Sequence, residues 1–305
     1  MSTLREVASG LRFPEGPVAL SDGSVLVVEI ARGTLSRVSP DGGVEVVADT
    51  GGGPNGAAVG PDGTVWICNN GGFEWREVGG RLFPGHQPAG YRGGSIQRVD
   101  LASGAVETVY RECDGRPLRG PNDLVFDRTG GFWFTDHGKT RERERDRTGL
   151  FYARPDGAEI REAVFPLEAP NGVALSPEQD RVYVAETTTG RVFYWNLAGP
   201  GEIAPHPRSP HGGYLLAGLP GLQMLDSMAV DADGNVCVAT LVHGGITVIA
   251  PDGEVLEHLP TGDPLTTNLC FGGPGRRTAW ITLSSTGRLA ALEWKRPGLE
   301  LAFGR

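Results

Sequence analysis

One short pattern returns six times along the chain and narrows the folds open to it. Each copy opens on a polar residue, in four copies preceded by Pro, and runs into a short apolar strand. A tight turn then leads to a second strand, such as VLVVE, TVWICN, GFWFTD or RVYVAE. A third strand follows (TLSRVS, SIQRVD, LFYARP, RVFYWN, ITVIAP, RLAALEW), and then a more polar fourth (VEVVAD, VETVYR, EIREAV, EVLEHL). The opening residues are at 15, 55, 122, 171, 226 and 268. A period of 40 to 50 residues with four strands per unit is the signature of propeller blades. The chain is therefore expected to be all-β: a six-bladed β-propeller of four-stranded antiparallel blades, with residues 1–305 forming a single domain. The spacings of 67, 49 and 55 residues after 55, 122 and 171 mark insertions in blades two and three and, less so, four.

Composition supports this reading. Of 305 residues, 47 are Gly and 23 Pro, the two poorest helix formers. Asp-Gly occurs at 22, 41, 62, 114, 156, 233 and 252. Between apolar runs it predicts type I′ hairpins, in which both central residues have φ > 0. A ring of blades needs its last blade tied to its first. TLREVA near the N-terminus and LELAFG near the C-terminus both read as fourth strands, so the termini are expected to meet in one shared blade.

Net charge is −9 and no basic stripe appears, which argues against a nucleic-acid partner. No apolar run nears the roughly 20 residues that span a bilayer. The start, MSTLREVASG, lacks the apolar core of a secretory signal. Cys68, Cys113, Cys237 and Cys270 show no C-x-x-C spacing and read as free thiols. These features together predict a cytoplasmic protein, away from membranes, as a monomer or small homo-oligomer. Gly51–Gly56 matches G-x-G-x-x-G but opens no helix, so it reads as an inter-blade turn. RERERDR at 141–147 alternates in sign and reads as a solvated loop.

Propeller geometry turns the repeats into a site. The first strand of each blade lines the central channel, and its opening residue lies at one rim. These residues are Glu15, Asn55, Asn122, Asn171, Asp226 and Asn268. Asx turns explain Asn in Pro-Asn-Gly, but not Glu15 in the same slot. Oxygen donors converging on an axis suit a hard divalent cation. The ends of the second strands, Glu29, Asn69, Asp136, Glu186 and Thr240, form a second polar layer on the same face. Long loops at 71–92 and 137–148 open there too. The first, with Phe73, Trp75, Arg76, Phe83 and His86, reads as an aromatic lid over a small-molecule site. His137 and His243 lie in such loops, facing either pocket or solvent.

The run Pro14-Glu15-Gly16-Pro17, then Pro121-Asn122-Asp123, Pro170-Asn171-Gly172 and Asp226-Ser227-Met228-Ala229-Val230-Asp231, resembles the gluconolactonase/regucalcin (senescence marker protein) family over nearly the whole chain. The resemblance implies one divalent cation held by Glu15, Asn171 and Asp226: calcium first, with zinc, manganese or iron as other choices. It implies that Asn122 touches the metal, its waters or the substrate, and that the substrate is a small lactone. Asp226 is the candidate general base. Asn55, Asn69, Trp75, His137 and Glu186 complete the expected substrate pocket. The alternatives are a phosphotriesterase or other ring-substrate enzyme on the same scaffold, or a noncatalytic calcium-binding propeller. Three features depart from the animal regucalcin pattern: Gly120 stands where an Arg is common, with Arg119 before it; Ser227 stands where Gly is common; and the Trp75 lid is unlike the animal proteins.

Overall fold

The computed structural model describes residues 3–304. They form six antiparallel blades. Blade one comprises Pro14–Ala19, Val25–Glu29, Thr34–Val38 and Val44–Asp49. Blade two comprises Pro54–Val59, Val65–Asn69, Ser95–Val99 and Val106–Tyr110; blade three, Pro121–Phe126, Phe132–Asp136, Thr148–Ala153 and Ile160–Leu167. In blade four, Pro170–Leu175, Arg181–Glu186 and Arg191–Gly199 are followed by Glu202–Ala204 and Tyr214–Gly218, which both pair with the third strand. Blade five comprises Met224–Val230, Val236–Leu241, Gly245–Ile249 and Val255–Pro260.

Blade six is built from both ends of the chain. Thr266–Gly272, Thr278–Leu283 and Arg288–Glu293 supply three strands, and Arg5–Ala8 pairs outermost against Arg288–Glu293. The inner strands touch in sequence, and Thr266–Gly272 closes the circle against Pro14–Ala19. The expected second terminal strand is absent. LELAFG forms no strand, because the chain leaves blade six after Glu293 and turns inward across the far end of the channel. There the Leu299 N–H donates to the Val230 carbonyl, and Phe303 meets Phe126 edge-on at 5.9 Å.

Alternation along the strands puts the apolar side chains between blades. Trp66, Trp133 and Trp195 are fully buried there, as are Phe132 and Phe134. Each large apolar side chain so placed contributes roughly 1.5–3 kcal/mol. Cys68, Cys113 and Cys237 are buried and Cys270 half-buried, all as free thiols.

The Asp-Gly turns differ from expectation at all but one site. Only Asp114-Gly115 has both residues at positive φ, 50° and 73°. Elsewhere the Gly alone is left-handed, as at Gly23 (85°) and Gly253 (95°). At all of these but Asp233 the Asp side chain instead accepts the N–H two residues on, as Asp22 does from Ser24 at 2.9 Å and Asp252 from Glu254 at 3.1 Å. An Asx contact satisfies the Asp locally, so it need not adopt the left-handed conformation that type I′ demands.

Candidate active site at the channel rim

Every inner strand starts with a β-bulge. Register shifts fall between Glu15 and Val18, Pro54 and Ala57, Pro121 and Leu124, Pro170 and Val173, Leu225 and Met228, and Thr266 and Asn268. A bulge re-aims one side chain out of the pleat, and in each blade it falls at the polar residue. Proline fits just before it because the first residue of a strand can lack a donor. Glycine fits just after it because neighbouring backbones crowd the axis. A Cβ on Gly16 would lie 2.7 Å from the Asn55 carbonyl, and one on Gly172 would lie 2.8 Å from the Asp226 carbonyl. Pro-Glu-Gly and Pro-Asn-Gly are thus the bulged entries of channel strands.

The bulges set the predicted residues around one channel rim, where hydrogen bonds join them in three separate groups. Asn268 Nδ2 donates to Glu15 Oε2 at 2.8 Å, and the Gly16 N–H donates to the same oxygen at 2.8 Å. Asn55 Nδ2 donates to the Asn122 carbonyl at 3.1 Å. Asn171 Nδ2 donates to Thr187 Oγ1 at 3.1 Å, and Asn171 also bonds the Asp226 carboxylate. Ser227 Oγ donates to Asn171 Oδ1 at 3.4 Å and also contacts Asp123, so the departure from Gly adds a hydroxyl inside the ring. Asn122 Oδ1 is buried and has no partner.

Asp123, which the sequence reading passed over, is a third carboxylate here. It accepts the Leu124 N–H at 2.9 Å and, less closely, the Val173 N–H at 3.4 Å. Burial pushes Glu15 up to about 7, against the hydrogen bonds from Asn268, Gly16 and Thr267. Burial, followed by the charge of Glu15, pushes Asp123 up to about 7. The same two causes raise Asp226 well above the ordinary carboxylate range. No basic side chain is among the influences on any of the three. Glu15 thus raises both Asp123 and Asp226, beside a stretch of chain where the Asn122 amide oxygen is unsatisfied. Among the described residues no group of three or more His, Cys, Asp or Glu side chains forms a cage by itself. Any cation here would draw on asparagine oxygens as well as carboxylates.

The second polar layer is committed to the backbone. Asn69 Oδ1 accepts the N–H groups of Gly53 (2.8 Å) and Gly71 (3.0 Å). Asp136 accepts from Arg119, Gly120 and Gly138, and Glu186 accepts from Glu168 at 2.8 Å. Glu29 does the same for Arg12 at 2.6 Å. Each fixes the loop that enters the inner strand of its own blade. The structure therefore places Asn69 and Glu186 behind the ring.

The hairpin of Trp75–Val78 with Arg81–Pro84 reaches back over blades one and six. Trp75 packs on Phe13 (5.0 Å between ring centroids) and on Phe73 (6.0 Å), and the Leu82 N–H donates to the Ser285 carbonyl. Half-buried Trp75 anchors this hairpin. His86 is exposed, and His243 lies exposed beside Gln223. His137 is half-buried against Arg145.

Lys139 also escaped the sequence reading. It is almost completely buried and ties the two long loops together. Its Nζ donates to the Gly72 carbonyl at 2.7 Å and to Asn70 Oδ1 at 3.2 Å, and it lies 4.1 Å from the Phe73 ring centroid. Asn70 in turn approaches Asn55 Oδ1 at 3.5 Å. Burial lowers Lys139 to about 7, opposed by Asp136 and Asp146.

Residues 13–285 match the model of a family described as the SMP-30/gluconolactonase/LRE-like region. A gluconolactonase of Zymomonas mobilis is 30% identical over 306 residues, a match spanning 91% of this chain and 78% of that protein. Among solved structures, a gluconolactonase from Xanthomonas campestris superposes with a TM-score of 0.75 at 23% identity, over 96% of this chain and 89% of the other. A calcium-binding regucalcin from Agrobacterium tumefaciens gives 0.75 at 16% identity, over 98% of each chain. These two superpositions describe a shared fold.

Proposed function

The chain belongs to the SMP-30/gluconolactonase/LRE-like family, and from that premise we propose that it is a metal-dependent lactonase that opens a small cyclic ester at the channel rim. The observation that carries this reading is the ring itself. Glu15, Asp123 and Asp226 are buried against one another's charge, and the Asn122 oxygen beside them is unpartnered. Glu15, Asn171 and Asp226 would hold a divalent cation, which would offset that charge. Calcium is the first choice, in keeping with all-oxygen donors and with the calcium-binding Agrobacterium relative. When bound, such a cation polarises the ester carbonyl and stabilises the developing oxyanion.

The chain's own residues do the rest. Asp226, half-buried at the rim, accepts a proton from the attacking water. The water oxygen bonds to the carbonyl carbon, the ring C–O bond breaks, and the ring oxygen takes up a proton, leaving a hydroxy acid. Asn122 orients the carbonyl, and Asn55 holds the Asn122 backbone in register. The lid on Trp75 and Phe73 limits substrate size and water access. The test is proton release from a panel of five- and six-membered lactones, an open-chain ester and a phosphotriester. The reading predicts turnover of lactones above the other two, with a loss of about 100-fold or more in Asp226→Ala. Full activity and full metal content in that variant would remove Asp226 from the role.

A further inference from the structure

The loop 137–147 carries five basic side chains and three acidic ones, in a chain whose totals are 28 and 37. Four of these eight are in ion pairs. Arg141 bonds Asp146 at 2.6 Å and Glu144 at 3.2 Å, and Arg147 bonds Glu168 at 2.9 Å. Arg143 is exposed. Arg145 is different: it is half-buried and makes no ion pair among the described residues. Its Nη2 lies 2.8 Å from His137 Nε2, and its Nε is buried with no acceptor.

The chemistry of that contact fixes the histidine. A guanidinium only donates, so Nε2 accepts and the ring proton is on Nδ1. Burial and the charge of Arg145 hold the imidazole neutral, down to about 3. Nδ1 also lacks a partner; the nearby Pro170 carbonyl lies outside hydrogen-bond geometry. One contact thus leaves two buried N–H donors without an acceptor, on and beside a guanidinium that Glu168 and Asp146 attract only from beyond ion-pair distance. Such groups are costly unless something accepts from them.

The pair is also at the mouth. The His137 N–H donates to the Gly120 carbonyl, two residues before Asn122, and the imidazole neighbours Pro170, one residue before Asn171. We propose that Arg145 and His137 form a subsite for a carboxylate on the substrate, so that the preferred substrate is a lactone that also bears a free carboxylate, the lactone of a sugar diacid. This rests on the lactonase reading of the ring. Arg suits the role because its planar fork matches a carboxylate.

The experiment compares two lactones that differ only in carrying a carboxylate or a hydroxymethyl group. Wild type is expected to favour the carboxylate-bearing lactone, and added salt to erode the preference. Arg145→Gln is expected to lower kcat/KM for that lactone about 10- to 100-fold and for the neutral one by less than about 3-fold. Arg147→Gln, which removes a nearby charge already paired with Glu168, is expected to leave the ratio unchanged. Arg145→Lys keeps the charge, and is expected to lose most of the preference even if Arg145→Gln folds poorly. No preference in wild type, or equal losses on both lactones, overturns the subsite. Calorimetric binding of the open hydroxy diacid needs no turnover. Arg145-dependent binding without hydrolysis of any lactone would uphold the subsite and discard the lactonase reading; hydrolysis without preference would do the reverse.

Discussion

Replacing Glu15 with Gln separates a ligand from a structural carboxylate, because the two roles predict opposite effects on metal-free protein. Gln keeps the shape and an oxygen for the Gly16 N–H and Asn268 Nδ2. It removes one of three mutually repelling charges. Burial raises Glu15 from 4.5 to about 7, so the folded state holds more protons than the unfolded state between those values. Stability must then fall as pH rises through that window. The loss is about 1 kcal/mol by pH 5 and about 3 kcal/mol by pH 8, at 1.36 kcal/mol per pH unit. Glu15→Gln lacks this loss, and it also relieves Asp123 and Asp226, which Glu15 raises. In chelator-treated protein, wild type should lose about 2 kcal/mol more than the variant between pH 5 and pH 8, or about 3 °C in melting temperature. Denaturant melts at the two pH values read this directly. Calcium at about 1,000 times its Kd should add about 4 kcal/mol to wild type at pH 8 and much less to the variant. A variant that is less stable than metal-free wild type at pH 8, and equally stabilised by calcium, would refute the charge argument.

Three further outcomes follow from the geometry. Asn122→Ala removes an oxygen with no protein partner, so melting should change little while lactone kcat/KM falls about 100-fold; a fall in stability without a fall in rate would contradict this. Lys139→Met strips donors from Asn70 and Gly72, and should cost about 1–3 kcal/mol and raise amide exchange in 71–92 above that of the blades. Ending the chain after Gly298 uncovers a channel cavity of about 500 Å³; the truncated protein should lose about 1–3 kcal/mol and bind a hydrophobic dye at the far end.

The ring was legible in the sequence because it repeats. Six oxygen-bearing residues in one slot survive any error in a single strand boundary, and a Glu among Asn residues excluded turn chemistry as the common cause. The bulge behind Pro-Glu-Gly was not legible, because the same glycine serves a turn and a close backbone approach. Asp123 was hidden by strand alternation: its neighbour Asn122 occupies the slot, and only the bulge lets both face the ring region. Asn69 and Glu186 were placed on the right face, but whether a strand-end side chain points to ligand or to backbone depends on loops that precede it by 16 and 18 residues. Lys139 lies in a charge-rich loop and reads as solvated; its burial comes from the Phe73 and Tyr91 rings, contributed by another blade. LELAFG alternates like a strand, yet blade six already has its outer strand from the N-terminus.

The central claim is that the ring works as a cation-loaded lactone site. It is tested most directly by stripping the protein of metal, adding calcium back in steps, and reading bound metal per chain beside proton release from a lactone. The account predicts that rate and occupancy rise together and level off at one ion per chain, and that Glu15→Gln and Asp226→Ala bind it more weakly. Undiminished lactone opening by protein kept metal-free with chelator would contradict it.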